Sequence, residues 1–195
     1  MHEFAVALTG ASGAVYGVTL LRALAGPGRR VHLIVSEGGA RVLKHECGLS
    51  INPKAPDVQE LVPGAGESVI GHSVADYGAS IASGSFPLAG MAVCPCSLGT
   101  LGRIAAGTGE NLITRAADVC LKERRKLVLV PRDTPLASTH LENMLRLTHA
   151  GAVILPASPG FYGGATTVQD LVRFVAARVL DQLGVPHELA PRWQG

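Results

Sequence analysis

The 195-residue sequence contains few aromatic and few charged residues, which make up 4% and 16% of the chain. Its formal net charge is only +2, and its most basic stretch, residues 122–126, is interrupted by Glu123. Surfaces that bind nucleic acids combine a basic patch with stacking aromatic side chains, so this composition argues against such a partner. A solvated helix end, whose cations complement the helix dipole, is the better interpretation of residues 122–126.

Long apolar segments are missing as well. The first apolar run covers only residues 4–8, without the basic start and cleavage site of a secretory signal. No stretch reaches the roughly 20 apolar residues that a membrane-spanning helix needs. We therefore expect a cytoplasmic protein that contacts no membrane.

Cysteine is scarce, with four residues in the chain. Cys94 and Cys96 form the one close pair, and a single intervening residue is too few for a CxxC redox or zinc motif. No histidine follows this pair until His140, so further metal ligands are missing nearby. The sequence predicts free, mostly buried thiols and no metal site.

Hydrophobic residues make up 47% of the chain, enough for the core of a single domain over residues 1–195. Apolar strands alternate with helical patterns, which predicts an α/β fold: a Rossmann-like (flavodoxin-like) parallel sheet with helices on both faces. Residues 48–87, rich in Pro, Gly and Ser, predict surface loops around a short strand or helix. Residues 186–195 contain Trp193 and are interpreted as a docking C-terminal tail. The predicted strands are 4–8, 30–35, 88–93, 126–130 and 152–155, and the predicted helices after the first are 37–47, 98–106, 110–124, 136–148 and 167–183.

The first strand passes directly into the turn Gly10-Ala11-Ser12-Gly13 and then into a helix. Gly10 and Gly13 allow a sharp turn and close approach of a ligand, while Ser12 can cap the helix. Free N–H groups at a helix start attract an anion, so phosphate is the expected guest. The glycine spacing matches neither GxGxxG nor the Walker motif. The alternative is a tight strand-to-helix turn with close packing at Gly17.

Small, hydroxylated or charged residues follow each predicted strand. In a parallel sheet the carboxyl ends of the strands meet at one edge, and ligands bind there. This rule predicts a binding site made of residues 10–12, Ser36, residues 96–100, residues 131–134 and residues 156–162.

Three cations occupy helix positions that should be apolar. Arg115 and Lys122 lie on the apolar stripe of one predicted helix, and Arg178 lies on that of the last helix. Buried cations would require an anion, which suggests an anion-binding site. Local pairing with Asp118 and Asp181 is the alternative, and for Arg115 and Lys122 the spacing alone favours neither.

Several motifs resemble the flavin prenyltransferases of the UbiX type, in order and over nearly the whole chain. They are residues 10–17 (GASGAVYG), 81–86 (IASGSF), 95–97 (PCS), 111–119 (NLITRAADV), 122–125 (KERR), 127–132, 134–136 (TPL), 140–145 (HLENML) and 161–162 (FY). The resemblance implies a Rossmann-like flavoprotein, commonly a dodecamer, that joins the dimethylallyl group of dimethylallyl phosphate to N5 and C6 of reduced FMN. It also implies that no metal is needed and that the product, prenylated FMN, serves decarboxylases of the UbiD type.

The resemblance further implies roles for individual residues. Glu46 would transfer a proton and would form the catalytic group together with Ser12, Lys122 and Arg178. Structural alternatives are a surface role for Glu46, packing of Tyr162 beside Phe161, and helix capping by Ser36. The implied FMN contacts are Gly10, Ala11, Ser12, Ser36, Ser97, Leu98, Gly99, Thr100 and Arg132, and those of dimethylallyl phosphate are Arg115, Lys122, Tyr162 and Arg178.

Two positions depart from the family pattern. Gly99 stands where a lysine is common, and Asp133 stands where a glutamate is common. The backbone N–H of Gly99 can still donate to flavin, so this change threatens affinity more than chemistry. Asp133 is one methylene shorter, which limits its reach in any proton transfer.

Two other functions share this architecture. One is an FMN-dependent cysteine-type decarboxylase, but such enzymes typically carry a histidine shortly before the flavin loop, and residues 81–92 contain none. The other is a non-catalytic flavin carrier, against which Glu46, Lys122, Tyr162 and Arg178 argue.

We also predict that the active site is completed across a subunit interface, because Arg178 is far along the chain from the FMN loops.

Overall fold

A computed structural model describes residues 1–161 and 163–191, and this part of the chain forms six strands and six α-helices. The strands are His2–Leu8 (β1), Arg29–Val35 (β2), Val69–His72 (β3), Leu88–Cys96 (β4), Lys126–Pro131 (β5) and Val153–Ile154 (β6). The helices are Ala14–Leu24 (α1), Glu37–Cys47 (α2), Leu98–Ala106 (α3), Leu112–Lys122 (α4), Ser138–His149 (α5) and Val168–Leu183 (α6).

All six strands belong to one parallel sheet in the order β3-β2-β1-β4-β5-β6. This is the strand order of the doubly wound Rossmann fold, so the predicted fold class is confirmed. The order reverses between β1 and β4, and the connections that leave these two strands diverge. A crevice therefore opens at the carboxyl ends of β1 and β4, where such folds bind ligands.

Helices cover both faces of the sheet because alternate strand residues point to opposite sides. On one face, Val6 and Leu8 pack in a core cluster with residues of α1, α2 and α6. On the other, Ala5 and Ala7 pack in a cluster with residues of α3, α4 and α5. The sheet thus separates α6, which carries Arg178, from α4, which carries Arg115 and Lys122.

Helix ends follow local capping chemistry. Ser36 Oγ accepts a hydrogen bond from Gly39 N (3.0 Å), which starts α2 at the predicted residue. Asn111 Oδ1 accepts from Thr114 N (3.0 Å), so α4 begins two residues later than the predicted position 110.

The helix α1 packs closely on β4. A Cβ atom added to Gly17 would lie 2.2 Å from the carbonyl oxygen of Cys94, a distance that no side chain could occupy. The close packing at Gly17 that the alternative interpretation of this turn expects is present. It sets the position of the α1 N-terminus relative to the end of β4.

All four cysteines are free, and burial raises the pKa of Cys96 and Cys120 to about 12, so these thiols are protonated at neutral pH. The tail segment 186–191 folds back on α6, whereas Trp193 lies outside the described residues. None of the described helices is long and apolar enough to cross a membrane.

Candidate active site

The loops that follow β1 and β4 are tied together by a buried threonine. The Thr9 hydroxyl donates to the carbonyl oxygen of Pro95 (2.8 Å) and accepts from Ser97 N (2.7 Å). Thr9 N also donates to the Pro95 oxygen (3.2 Å). These bonds fix the two sides of the crevice, although the sequence analysis did not single out Thr9.

The loops that follow β1 and β2 approach each other through glycines. A Cβ atom on Gly10 would lie 3.2 Å from Cα of Gly38, and one on Gly39 would lie 2.4 Å from the carbonyl oxygen of Leu8. The first turn of α2 consequently rests against the glycine-rich turn. Ser36 caps this helix, which is the role given above as the structural alternative to an FMN contact. Its side chain is half-buried beside the crevice.

The N-terminus of α1 is capped by a distant side chain. Glu46, near the end of α2, accepts hydrogen bonds at Oε2 from Gly13 N (2.8 Å) and Ala14 N (2.9 Å). Partial burial alone would raise the pKa of Glu46, but hydrogen bonds from the Ser12 side chain and from these two N–H groups outweigh it. With a smaller contribution from the Arg132 charge, they lower the pKa below its ordinary value. Glu46 is therefore a carboxylate at neutral pH.

Arg132 joins the same group of residues from the end of β5. Its Nε donates to the carbonyl oxygen of Ser12 (3.1 Å). At the third helix start, Ser97 Oγ accepts from Thr100 N (3.3 Å) and caps α3. The residues predicted to contact FMN therefore share one edge of the sheet, while the contact itself stays a prediction. They are Gly10, Ala11, Ser12, Ser36, Ser97, Leu98, Gly99, Thr100 and Arg132.

An arginine lies beside the position where the family commonly has a lysine. A Cβ atom on Gly99 would lie 3.8 Å from Nη1 and 3.9 Å from Nη2 of Arg103. Arg103 Nη2 also lies 3.5 Å from Thr100 Oγ1. The sequence analysis missed Arg103, although its spacing of four residues from Gly99 within a predicted helix is a usable signal. The other departing residue, Asp133, is exposed and accepts from Thr134 N (2.9 Å).

The three cations expected to be buried are partly exposed and locally paired. Arg115 pairs with Asp118 (3.3 Å), and Arg178 pairs with Asp181 (2.7 Å). Lys122 pairs with Glu123 (2.6 Å) rather than with Asp118. The exposed fraction of the side chain is 39% for Arg115, 46% for Lys122 and 49% for Arg178, so the expectation of burial is wrong. The physical reason is that small and apolar residues on adjacent rows of α4 and α6 cover the sheet, which leaves the cations at the rim.

The described part of one chain does not bring these cations to the crevice. Lys122 precedes β5 and lies at the amino edge of the sheet, where its Nζ would be 2.7 Å from a Cβ atom on Gly84. Arg132 follows the same six-residue strand, so a distance of about 20 Å separates the two backbones. Arg178 lies on the opposite face of the sheet from Arg115. Tyr162, the fourth residue of the predicted substrate site, lies outside the described residues.

Comparison with known proteins identifies the family. The Flavoprotein family profile matches residues 1–180. The flavin prenyltransferase UbiX of Halalkalibacterium halodurans is 47% identical over 190 residues, which cover 97% of this chain and 92% of the relative. This chain belongs to the UbiX flavin prenyltransferases. The resemblance found in the motifs is confirmed.

Two solved structures of the UbiX type have the same fold. One is AnUbiX (PadA1) in complex with FMN and dimethylallyl pyrophosphate, with a TM-score of 0.87 and 40% identity, covering 100% of this chain and 98% of that one. The other is the dodecameric FMN-dependent UbiX-like decarboxylase from Escherichia coli O157:H7, with a TM-score of 0.89 and 46% identity. It covers 99% of this chain and 100% of its own.

Proposed function

We propose that this UbiX-family protein is a flavin prenyltransferase that joins a dimethylallyl group to reduced FMN and so makes prenylated FMN. The observation that carries the proposal is the crevice between β1 and β4. There Glu46 accepts hydrogen bonds from the backbone of the glycine-rich turn, and Arg132 donates to the Ser12 carbonyl oxygen of the same turn. Membership of the family supports the activity, and the UbiX structure that holds FMN and dimethylallyl pyrophosphate supports the two ligands.

The residues of the crevice fit FMN. Gly10 and Gly38 pack against each other too closely for side chains, and this contact brings the loops after β1 and β2 together at the crevice. The N-termini of α2 and α3 lie at this edge, and helix N-termini attract phosphate. The first N–H groups of α1 already donate to the Glu46 carboxylate, so the expectation that they are free for a phosphate is wrong. Reduced FMN, when bound, supplies the electron-rich N5 and C6 atoms to which the dimethylallyl carbons become attached. Within the described residues, no cluster of His, Cys, Asp and Glu could hold a metal ion.

Glu46 is suited to accept a proton. Its lowered pKa keeps it ionised at neutral pH, and the backbone N–H groups of Gly13 and Ala14 fix its position. A group that is already deprotonated cannot serve as the initial general acid, so Glu46 would be the residue that accepts a proton released during prenyl transfer. The Ser12 hydroxyl contributes to the lowered pKa of this carboxylate.

Departure of phosphate requires positive charge, and this charge comes from several subunits. Arg115, Lys122 and Arg178 would stabilise the leaving anion, as charged donors do for phosphate. In one chain the sheet and the length of β5 separate them, so a neighbouring copy must bring α4 to the crevice. The exposed side chains of Leu141 and Leu145 on α5 offer an apolar surface for such contacts. We propose a homo-oligomer, with the dodecameric relative as its precedent.

Three finer points complete the proposal. Dimethylallyl phosphate is the donor, and the pyrophosphate is the competing candidate. The product passes to a decarboxylase of the UbiD type, as the family resemblance implies. Residues 1–195 form one flavoprotein domain that works in the cytoplasm, for which the free thiols argue.

Mass spectrometry of the flavin tests the function. The purified protein is incubated with reduced FMN and either dimethylallyl phosphate or dimethylallyl pyrophosphate, then denatured. Recovery of FMN carrying one dimethylallyl unit, with faster modification by the monophosphate, is the expected result. Unmodified FMN in both arms contradicts the proposal and leaves a flavin carrier. Release of CO₂ from a cysteine-containing peptide, without flavin modification, indicates a decarboxylase instead. Release of stoichiometric FAD or NAD from the protein as purified would contradict the FMN assignment.

A further inference from the structure

Arg178 is the last member of a hydrogen-bonded chain that begins in the C-terminal tail. Arg178 Nη1 donates to Asp181 Oδ2 (2.7 Å), and His187 Nε2 lies 3.1 Å from Asp181 Oδ1. The His187 Nδ1 atom accepts a hydrogen bond from Leu189 N (3.3 Å). Since Nδ1 is the acceptor in this arrangement, Nε2 carries the hydrogen and donates it to Asp181.

The end of α6 brings these residues together. Gly184 takes the left-handed conformation (φ 75°), its N–H donates to the Asp181 carbonyl, and Val185 N donates to the Leu180 carbonyl. Such a C-terminal cap reverses the chain, and a residue with a Cβ atom rarely adopts this conformation. The tail then lies along α6, so His187 reaches a residue six positions earlier.

Burial differs along this chain. The His187 side chain is 6% exposed and that of Asp181 is 16% exposed, whereas Arg178 is half-exposed. Arg178 also lines a groove of about 330 Å³ with Leu155, Pro156 and Ser158, residues that follow β6 and lead to Tyr162. An exposed arginine alone samples many rotamers. Here the Arg178 guanidinium is hydrogen-bonded to one carboxylate oxygen of Asp181, and the buried His187 is hydrogen-bonded to the other.

We propose that Asp181 and His187 are positioning residues that fix Arg178 for the phosphate of the prenyl donor. This inference rests on the proposed function, in which Arg178 binds that phosphate. An arginine has several N–H donors, so Arg178 can bond to Asp181 and to a phosphate at once. Fixing the side chain in advance lowers the entropy lost when the donor binds. Asp181 and His187 touch neither flavin nor donor in this scheme, and they act only through Arg178.

The test measures KM for dimethylallyl phosphate, kcat, the FMN dissociation constant and the thermal midpoint of the intact oligomer. Asp181→Asn removes the charge that holds Arg178, and His187→Phe keeps a ring but removes the donor. Each should raise KM by roughly tenfold, as expected for loss of a hydrogen bond to a charged group, and leave FMN affinity unchanged. His187→Gln, whose amide nitrogen can reach the place of Nε2, should restore much of the lost affinity. The exposed neighbour Glu188, changed to Gln, is the matched control and should leave KM unchanged.

A double-mutant cycle separates positioning from general stability. If Asp181 acts through Arg178, Asp181→Asn should change KM by less than about twofold when Arg178→Ala is already present. An effect of Asp181→Asn that is as large in the Arg178→Ala background as in the wild type overturns the inference. So does an unchanged KM in both His187→Phe and Asp181→Asn. If Arg178→Ala itself leaves KM unchanged, the proposed phosphate contact of Arg178 is wrong, and the positioning role is overturned with it.

Discussion

At the scale of single residues, the charge state of Glu46 sets a pH dependence. Its pKa is lowered from 4.5, the pKa of an ordinary glutamate side chain. The Glu46 carboxylate therefore remains ionised until the pH falls below that value. A depressed carboxyl pKa contributes stability that is present above the unfolded pKa and is lost as the pH falls through the folded pKa. We therefore predict that prenyl transfer shows no acidic limb from Glu46 between about pH 6 and pH 8. A pH–rate profile checks this, and a Glu46-dependent limb near neutrality would contradict it.

The variant Glu46→Gln tests the role itself. The amide oxygen can still accept from Gly13 N and Ala14 N but carries no charge and no basicity. We expect slower flavin modification with FMN affinity nearly unchanged, and a loss of stability of about 0.3–1 kcal/mol from the weaker interaction with the α1 dipole. Flavin modification at the wild-type rate would contradict the proton-accepting role and would mean that Glu46 only caps α1.

Arg103 is predicted to supply the positive charge that a lysine commonly provides at position 99. Arg103→Ala should weaken FMN binding several-fold, whereas Arg41→Ala, which removes an exposed cation of α2, should not. Position 99 has room for a side chain, since an added Cβ would make only ordinary contacts. Gly99→Lys should therefore restore FMN affinity in the Arg103→Ala background. Fluorescence titration with FMN measures this. Unchanged FMN affinity in Arg103→Ala would contradict the prediction, and so would weakened binding that Gly99→Lys fails to restore.

At the scale of secondary-structure elements, Gly17 is predicted to be irreplaceable. In Gly17→Ala the new methyl group would lie 2.2 Å from the Cys94 carbonyl oxygen, so α1 must move away from β4. We expect a loss of roughly 1–3 kcal/mol or more, typical of overpacking. Gly102→Ala is the matched control inside α3, where the added Cβ would lie 3.5 Å from Asn143 Nδ2. That control should be neutral or stabilising, because alanine favours a helix over glycine. Urea unfolding midpoints of the two variants compare them, and equal midpoints would contradict the packing argument.

Most elements could be predicted from the sequence because their signals are local. The α2 and α3 bounds match the prediction, since Ser36 and Ser97 cap them and a glycine follows each helix. The sequence predicts that strand β4 ends at Val93, before the small and hydroxylated residues of the following loop. It continues to Cys96, which pairs with Pro131 of β5 after an irregularity in the register. Strand β3 has four residues in a loop-rich segment and gave no distinct signal.

The candidate site was predictable only in part. The rule for parallel sheets places the loops after the strands at one edge, whichever side chains they carry. The contact of Glu46 with the α1 N-terminus spans 33 residues, and its role came only from the family resemblance. The position of Arg178 relative to Lys122 depends on which face of the sheet each helix covers. Helical spacing places a cation on a stripe but does not say on which face of the sheet the helix packs.

At the scale of the whole molecule, the separation of the cations from the crevice gives a quantitative prediction. If Lys122 and Arg178 only pair with Glu123 and Asp181, neutral replacements should change stability and turnover by about 0–1 kcal/mol. If they bind the leaving phosphate, Lys122→Ala and Arg178→Ala should each cost roughly 2–5 kcal/mol in prenyl transfer. FMN affinity should change little, because the phosphate of FMN is assigned to the Gly10-Ala11-Ser12 side of the site rather than to these cations. Normal prenyl transfer in both variants would contradict the shared site.

Complementation between two impaired variants tests whether one site contains residues of different subunits. Glu46→Gln inactivates the carboxyl-edge part of a site, and Lys122→Ala inactivates the part proposed to come from a neighbour. When both chains are co-expressed and assemble at random, roughly one quarter of the sites receive the intact Glu46 of one chain and the intact Lys122 of the other. Activity should return to about that fraction of the wild-type value. A mixture of Lys122→Ala with Arg115→Ala is the control, because both residues lie on α4 and reach each site from the same subunit, so it should regain nothing beyond the residual activity of its parents. Full prenyl transfer by a species whose light-scattering mass equals one subunit, or no recovery in the first mixture, would mean that each chain builds its own site.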